Sequence, residues 1–299
     1  MHKISVVINT LNEEENLPRA ITSVKGFADE IVVCDMHSDD KTKDIAKRSG
    51  AKVFEHERTG YVEPARNYAI SKAEGDWILI LDADEELPRS LGKILRNLAE
   101  KPTADYYRLP RKNIIFDKWI EHTGWWPDYN IRFFKKGNVT WSEIIHSVPI
   151  TTGKGLDLDA KEENALLHHN YETIEQFIER LNRYTTHQSK SLIKGGYKFQ
   201  WQDLIIQSFA EFFSRYFENQ GYKDGLHGLT LSLLQAVSEL VLYLKTWQTG
   251  KFLAYDLDVK DVIIQVKQKE RELNYWQADT LVKNGAGIVQ RVKRKLKLP

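Results

Sequence analysis

The chain has too few cysteines for a fold that is stabilised by internal disulfides or by a metal bound to several cysteines. Among its 299 residues there is one cysteine, Cys34. A single cysteine excludes an internal disulfide framework and any multi-cysteine zinc or iron–sulfur site. We therefore expect the reducing environment of the cytoplasm.

The chain also lacks an excess of charge and an unbroken apolar segment. Its 43 Lys and Arg residues balance 42 Asp and Glu residues, so the net charge near +1 indicates no nucleic-acid partner. The first residues enter a β-type run directly, without the apolar region of a signal peptide. The most membrane-like segment, 226–244, contains His227, Gln235 and Glu239, which a spanning helix would bury in lipid. We expect an amphipathic or core helix there.

The first hundred residues alternate between two hydrophobic patterns. Short apolar runs of strand type alternate with helical patterns and lie at residues 4–8, 31–34, 53–54 and 77–81. This alternation predicts an α/β domain with a mostly parallel, Rossmann-like sheet covered by helices on both faces. Because ligands bind beyond the carboxyl ends of parallel strands, the segments to inspect are 9–13, 35–40 and 82–86.

The pattern changes twice after this alternation. From Tyr106 to about Tyr171, strand-like pieces are joined by turn signals, and the chain beyond Glu172 is nearly all helical in pattern. We expect an α/β domain over 1–171, a helical extension over 172–282 and a basic amphipathic tail over 283–299.

Two carboxylates follow the fourth apolar run in Asp82-Ala83-Asp84. At the end of a strand, one can reach a divalent metal that bridges to a diphosphate, and the other can accept a hydrogen bond from a ribose hydroxyl. Hard oxygen ligands suit Mg²⁺ or Mn²⁺. The alternative is a polar turn whose acids lie near the start of the next helix.

Several blocks together resemble a known family. Four blocks resemble, in their order and spacing, a family 2 glycosyltransferase with the GT-A fold. They lie at residues 4–17, 29–39, 65–67 and 75–84. Three further blocks resemble its lipopolysaccharide-core β-glucosyltransferase subgroup: 124–129, 132–134 and 145–146. The resemblance covers most of the chain and is weaker after residue 170.

The resemblance implies a nucleotide-sugar site at the carboxyl edge of the sheet. It implies that Asp35 hydrogen-bonds the uracil or ribose, that Arg66 lies near the base or diphosphate, and that Asp82 contacts the ribose. The remaining residues implied to line the nucleotide-sugar pocket are Asn9, Thr10, Leu11, Asn12, Glu13 and Ala83.

The resemblance also implies a metal site. Asp84 would bind Mn²⁺ or Mg²⁺, and His146 matches a histidine that completes the metal or diphosphate site in this fold. The acidic residue usual after that histidine is Ser147 here, which leaves no carboxylate at this position.

Inverting transfer needs a base for the acceptor hydroxyl, and our choice is Asp128. It follows Trp125 and Trp126, aromatic residues that can stack on the faces of an acceptor sugar. Core packing of both indoles with a turn carboxylate is the alternative interpretation. Glu143 and Glu121 are the next candidates for the base.

His168 and His169 form the other histidine pair of interest. Adjacent strand residues point to opposite faces of a sheet, so we interpret them as core or surface histidines rather than a pair of metal ligands.

The tail combines cations with an apolar face. Lys293, Arg294 and Lys295 are among its basic residues, no acid is present, and Ile288 and Val292 share one helical face. This pattern is typical of a helix lying on an anionic membrane. A solvated basic terminus or a nucleic-acid-binding tail is the alternative.

These expectations combine into one function. They describe an inverting, metal-dependent enzyme that moves a hexose from a UDP-sugar to a glycan or lipid-linked acceptor of the cell envelope. It would work in the cytoplasm, peripherally attached to the inner face of the membrane. Two alternatives remain open, namely transfer to polyprenyl phosphate or a protein side chain, and a nucleotide-sugar-binding scaffold without turnover.

Overall fold

The structure is a computed structural model that describes residues 2–58, 62–141 and 149–299. Its strands are β1 (Ile4–Thr10), β2 (Glu30–Asp35), β3 (Lys52–Glu55), β4 (Trp77–Asp82), β5 (Glu85–Glu86), β6 (Tyr106–Leu109), β7 (Arg111–Ile115), β8 (Lys118–Trp119), β9 (Asn130–Lys135), β10 (Val139–Thr140), β11 (Ile150–Thr151), β12 (Gly155–Asp157) and β13 (Leu166–Tyr171). Its α-helices are α1 (Leu17–Val24), α2 (Thr42–Arg48), α3 (Glu63–Lys72), α4 (Arg89–Glu100), α5 (Ile174–Lys194), α6 (Asp203–Phe213), α7 (Leu226–Thr249), α8 (Val259–Lys283) and α9 (Ile288–Leu296).

The chain folds into two compact units. Unit 1 comprises Met1–Ile114 and Trp126–Asn170, and unit 2 comprises Ile115–Trp125 and Tyr171–Pro299. Nothing in the sequence pattern had indicated that the short segment Ile115–Trp125 belongs with the helical part.

A mixed, mostly parallel sheet forms the centre of unit 1. Within the described residues its strand order is β12-β6-β9-β4-β1-β2-β3. Strands β4, β1, β2 and β3 are parallel, whereas β9 runs antiparallel to both β4 and β6. A second sheet contains β5, β13 and β7 side by side, with β13 antiparallel to β5.

The central sheet is buried on both faces, as its unbroken apolar strands predict. On one face Ile8 of β1 packs in a buried cluster with Leu17 of α1 and Leu91 of α4. On the other face Val7 packs with Ala69 of α3. Since the strand is covered on both faces, we expect a ligand to meet it at its carboxyl end, at Asn9.

Unit 2 is a set of helices built around its own core. Buried side chains of Phe177 and Leu181 from α5 pack with Leu231 from α7 and with Ile120 of the inserted segment. The buried carboxylate of Asp224 joins this segment to the helices. It accepts hydrogen bonds from the backbone N–H and from the ring Nδ1 of His122.

Helix α7 is long and apolar enough, by length and composition, to cross a membrane. In unit 2 it packs against α5 and α6. Its Lys245 Nζ donates to the Thr185 and Thr186 hydroxyls of α5, at 2.9 and 2.8 Å. These hydrogen bonds from a lysine join α7 to α5 within unit 2.

Candidate active site

The carboxyl ends of β1, β2 and β4 lie at one edge of the sheet. Asn9 at the end of β1 is in register with Cys34 of β2 and with Asp82 of β4. Its side-chain Oδ1 and Nδ2 are buried and have no hydrogen-bond partner within the described chain. Leaving such a group unpaired costs about 1–3 kcal/mol, so this amide is suited to bind a ligand.

The loop after β1 is fixed by hydrogen bonds between backbone N–H groups and side chains, which join it to the loop after β2 and to the start of α2. Asn12 has a φ of 57°, its N–H donates to Ser38 Oγ over 2.9 Å, and its Oδ1 accepts from the Asp39 N–H over 2.8 Å. The Glu13 N–H donates to the Thr42 hydroxyl over 2.8 Å. These bonds fix the segment that the sequence assigns to the nucleotide.

Two residues of the predicted nucleotide segment, Thr10 and Leu11, are at least partly buried. Leu11 is partly buried and packs against the core cluster that contains Val7. Thr10 is buried, and its hydroxyl donates to Asp35 Oδ1 over 3.3 Å.

Asp35 organises the end of β2. Its Oδ1 accepts from the Ser38 hydroxyl at 2.6 Å and its Oδ2 accepts from the Ser38 N–H at 3.0 Å. Burial, together with the charge of Asp35, raises the pKa of the Cys34 thiol to about 12, which excludes this cysteine as a nucleophile at neutral pH. The predicted contact of Asp35 with uracil or ribose stays a prediction.

Asp82 lies between two arginines at the end of β4. Arg66 Nη2 donates to its Oδ1 over 3.0 Å, and Arg132 Nη2 donates to its Oδ2. Burial acts to raise the pKa of Asp82, but the guanidinium groups of Arg132 and Arg66 outweigh it and hold the pKa well below its ordinary value. Arg66 also lies over the ring of Trp141, 5.3 Å from the ring centroid.

Arg132 and Glu85 extend this charged cluster into the protein interior. Arg132 Nη2 donates to Glu85 Oε1 over 2.6 Å, and both side chains are almost fully buried. Burial lowers the pKa of Arg132, but the carboxylates of Asp82 and Glu85 raise it by more. Sequence reasoning assigned no role to either residue, although Arg132 stands in one of the blocks that carry the family resemblance.

Ala83 is buried between the two acids of the motif. It packs in the core cluster that contains Leu17 and Leu87. The predicted contact of Ala83 with the nucleotide sugar would therefore be made by its backbone. This contact stays a prediction.

His168 lies beside Asp84, a pairing that sequence reasoning missed. Its Nε2 is 3.5 Å from Asp84 Oδ2, while Nδ1 is 2.6 Å from Asn113 Oδ1. The neighbouring His169 instead contacts Glu86 through Nε2 over 2.7 Å. The alternation of strand side chains separates the two histidines, as predicted, but the same alternation directs one of them to the end of β4.

Asp128 is engaged by basic and amide groups of unit 1. Arg111 Nε donates to its Oδ2 over 2.9 Å, Asn113 Nδ2 donates to Oδ2 over 3.3 Å, and Asn130 Nδ2 donates to Oδ1 over 3.2 Å. Arg111 Nη1 also donates to Glu85 Oε1 over 3.3 Å. The carboxylate chosen as the base is thus linked through Arg111 to the cluster around Asp82.

The two tryptophans fall in different units. Trp125 belongs to unit 2, where it packs edge-on against Tyr171 and lies beneath the guanidinium of Arg215, 5.7 Å from its ring centroid. These contacts favour a packing role for its indole. Trp126 belongs to unit 1, is partly buried and precedes Pro127 through a cis peptide bond. Acceptor binding by either residue stays a prediction.

Three further residues were predicted from the sequence to bind the metal or to act as the base. His146, the second predicted metal ligand, and Glu143, a candidate base, lie outside the described residues. Glu121 is exposed in unit 2.

The donors around Asp84 fit a divalent ion. Over 2–58, 62–141 and 149–299 no group of three or more His, Cys, Asp or Glu side chains is placed to hold a metal. One carboxylate and one imidazole nevertheless suffice where substrate phosphates supply the other ligands, as is usual for Mg²⁺ sites. The short contact of His168 Nδ1 with an amide oxygen is the outer hydrogen bond typical of a metal-binding histidine.

The sequence of the chain is similar to those of known proteins. The family described as Glycosyl transferase family 2 matches residues 5–156, which is more than half of the chain. The chain belongs to glycosyltransferase family 2. The GT-A fold of this family accounts for the mostly parallel sheet, and the protein is a transferase enzyme.

Individual relatives agree with the family assignment. An uncharacterised glycosyltransferase of Rickettsia bellii is 31% identical over 80% of this chain and 84% of its own length. The lipopolysaccharide core biosynthesis glycosyltransferase LpsC of Rhizobium meliloti is 24% identical over 82% of this chain and 92% of its own length.

A solved structure also aligns with part of the chain. Glucosyl-3-phosphoglycerate synthase from Mycobacterium tuberculosis, in complex with Mn²⁺, uridine diphosphate and glucosyl-3-phosphoglycerate, is 26% identical over 36% of this chain and 43% of that chain, with a TM-score of 0.32.

Proposed function

We propose that this family 2 glycosyltransferase moves a hexose from a UDP-sugar to a glycan or lipid-linked acceptor of the cell envelope, with inversion and with a divalent metal. The observation that carries the proposal is the approach of His168 Nε2 to Asp84 Oδ2 at the sheet edge where the buried Asn9 amide has no hydrogen-bond partner among the described residues. Together they offer candidate metal ligands and a buried amide at the place where this class of fold binds nucleotides.

The nucleotide half of the proposal rests on the ends of β1, β2 and β4. Asn9 presents a buried amide, and the exchange of hydrogen bonds between Asn12 and the Ser38 loop orders the backbone around it. Asp82 is held ionised by Arg66 and Arg132, so its carboxylate is ready to accept from a ribose hydroxyl.

The metal half rests on Asp84 and His168. Mn²⁺ or Mg²⁺ bound there supplies positive charge that stabilises the departing diphosphate. Asp84 and His168 would hold the ion, and the resemblance adds His146, outside the described residues, as a further candidate. Arg66 lies close enough to Asp82 to add positive charge on the same side of the sheet.

Proton removal from the acceptor hydroxyl falls to Asp128. Its Oδ1 receives one amide hydrogen bond while Oδ2 receives the Arg111 and Asn113 donors. This asymmetry leaves Oδ1 as the more available oxygen for a substrate proton. The hydrogen bonds also hold the carboxylate in one orientation, which is what attack from the face opposite the leaving group needs.

Peripheral attachment to the inner face of the membrane is part of the proposal. In α9 the apolar side chains of Ile288 and Val289 are 77% and 62% exposed, so α8 does not cover this face. Arg294 donates to Asp279 over 3.0 Å, which holds α9 against α8, while Arg291, Lys295 and Lys297 are exposed. An exposed apolar face beside several cations supports binding to anionic lipid.

Thermal unfolding with a panel of nucleotides tests the donor and the metal together. UDP with Mn²⁺ should raise the apparent stability by about 2.7 kcal/mol at one hundred times its Kd, and GDP or CDP should not. Asp84→Asn should lose the Mn²⁺-dependent part. Slow hydrolysis of the matching UDP-sugar should accompany binding in an enzyme, whereas binding without hydrolysis or transfer would favour the scaffold alternative.

A further inference from the structure

Asn113 lies between the proposed base and the proposed metal ligand. It belongs to β7, and its side chain is fully buried. Its Nδ2 donates to Asp128 Oδ2 over 3.3 Å, and its Oδ1 is 2.6 Å from His168 Nδ1. One amide therefore contacts both groups.

The carboxylate decides which way the amide points. An amide has two donors at its nitrogen end and only acceptors at its oxygen end, while an ionised carboxylate can only accept. Asp128, paired with Arg111, therefore takes the nitrogen end of Asn113. The oxygen end is then left facing the imidazole of His168.

The amide oxygen in turn decides which ring nitrogen of His168 carries the proton. A contact of 2.6 Å with an acceptor oxygen requires a proton on Nδ1, because two lone pairs at that distance repel. A neutral imidazole with a proton on Nδ1 has a lone pair on Nε2. That lone pair is 3.5 Å from Asp84 Oδ2, so two acceptor atoms face each other in the site.

We propose that Asn113 is a positioning residue that uses the orientation imposed by Asp128 to hold His168 as its Nδ1–H tautomer, leaving Nε2 for a divalent cation shared with Asp84. The inference rests on the proposed function for the identity of the cation. It makes the acceptor-side carboxylate and the metal-side histidine parts of one hydrogen-bonded chain.

The backbone supports the same arrangement. His168 is in register with Glu85 across the β13–β5 pair, and the His169 N–H donates to the Asp84 carbonyl over 2.9 Å. Both ligands are thus fixed by strand pairing, and the tautomer is the remaining variable at the site. The hydrogen bond from Asn113 controls that variable.

The tautomer is measurable in the metal-free protein. Long-range ¹H–¹⁵N correlation on protein labelled at its nine histidines, at about pH 8, distinguishes the Nδ1–H and Nε2–H forms, and His168→Gln identifies the signal. Wild type should show the Nδ1–H form. An Nε2–H form in wild type would overturn the inference without any variant.

Variants test whether Asn113 is the cause. Asn113→Leu is close in shape but can neither donate nor accept, so His168 should lose the Nδ1–H form, and Mn²⁺ affinity in the presence of UDP should fall about 10- to 100-fold by electron paramagnetic resonance. Asn130→Leu is the matched control, because Asn130 also donates to Asp128, whereas the Nδ1 atom of His168 contacts Asn113. It should leave the tautomer and Mn²⁺ affinity unchanged.

The outcomes separate this inference from the proposed function. If wild type binds Mn²⁺ and Asn113→Leu, folded by circular dichroism, binds it equally well, the role of Asn113 is wrong while the metal site stands. If wild type shows the Nδ1–H form but binds no Mn²⁺ with UDP, the proposed metal dependence is wrong and the tautomer assignment stands.

Discussion

Arg111 Nε donates to Asp128 Oδ2 over 2.9 Å, so the carboxylate assigned to the acceptor proton is paired with a guanidinium. Arg111 also contacts Glu85, whose carboxylate binds Arg132. The base is therefore one end of a charged network that continues to Asp82. Its position depends on residues from several strands of unit 1.

Asp128→Asn should lower turnover by about 10²-fold or more, because the amide keeps the shape but cannot take a proton. UDP affinity should barely change if Asp128 acts on the acceptor. Transfer rate and UDP binding are the two measurements. Asp157→Asn is the matched control, since Asp157 is also paired with an arginine, Arg108, at the exposed edge of unit 1. Loss of UDP affinity in Asp128→Asn would make Asp128 a nucleotide or structural residue.

Asp84→Asn and His168→Gln should each abolish most transfer and weaken Mn²⁺ binding, while the unfolding temperature in the absence of ligand stays near that of wild type. An excess of chelator should act likewise on the wild type. His169→Gln is the control, because its ring contacts Glu86 and lies on the other face of β13. Transfer that continues at full rate in excess chelator would contradict the metal requirement.

Asp82→Asn should lower the free energy of unfolding at pH 7 by about 3 kcal/mol, because it leaves buried Arg132 with one carboxylate partner fewer. The folded-state pKa of Asp82 lies below the ordinary value of 3.8, so its contribution is complete above that pH and is lost as the pH falls further. The difference between variant and wild type should therefore shrink below about pH 4 in urea unfolding series. A difference that grows on acidification would mean that the sign of the shift is wrong.

Removal of residues 284–299 should leave folding and UDP binding intact but reduce sedimentation with anionic vesicles. Each cation near the surface contributes about 1 kcal/mol, and this part should shrink at 1 M salt, where the Debye length is roughly 3 Å. Replacing Lys293, Lys295 and Lys297 with Gln should reduce the salt-sensitive part. Ile288→Ser with Val292→Ser should remove the part that salt leaves.

Neutral vesicles provide the reference for these tail variants. The full chain should sediment less with neutral than with anionic vesicles at low salt. Equal sedimentation of the full and truncated chains would exclude the tail as the anchor. The exposed aromatic surface of α6 at Phe209 would then be the next segment to test.

The local sequence pattern was enough to predict which edge of the sheet faces the ligand. Apolar runs covered on both faces predict parallel strands, and parallel strands place their carboxyl ends together regardless of the loops between them. Asn9 and Asp82 could therefore be placed at one edge from spacing alone, and the register agrees. Membership of the glycosyltransferase family could also be predicted from the sequence, because each block of the resemblance is a short continuous segment of the chain.

Contacts between distant strands were decided only by the tertiary structure. His168 and Asp84 meet because β13 pairs with β5, a two-residue strand with no sequence signature of its own. Asn113 and Arg132 enter the site from β7 and β9 for a similar reason. Strand pairing is set by long-range packing, and a pattern of alternating residues says which side chains share a face but not which strand lies beside them. The sequence by itself thus determined the fold and its ligand edge, while strand order determined which charged groups meet there.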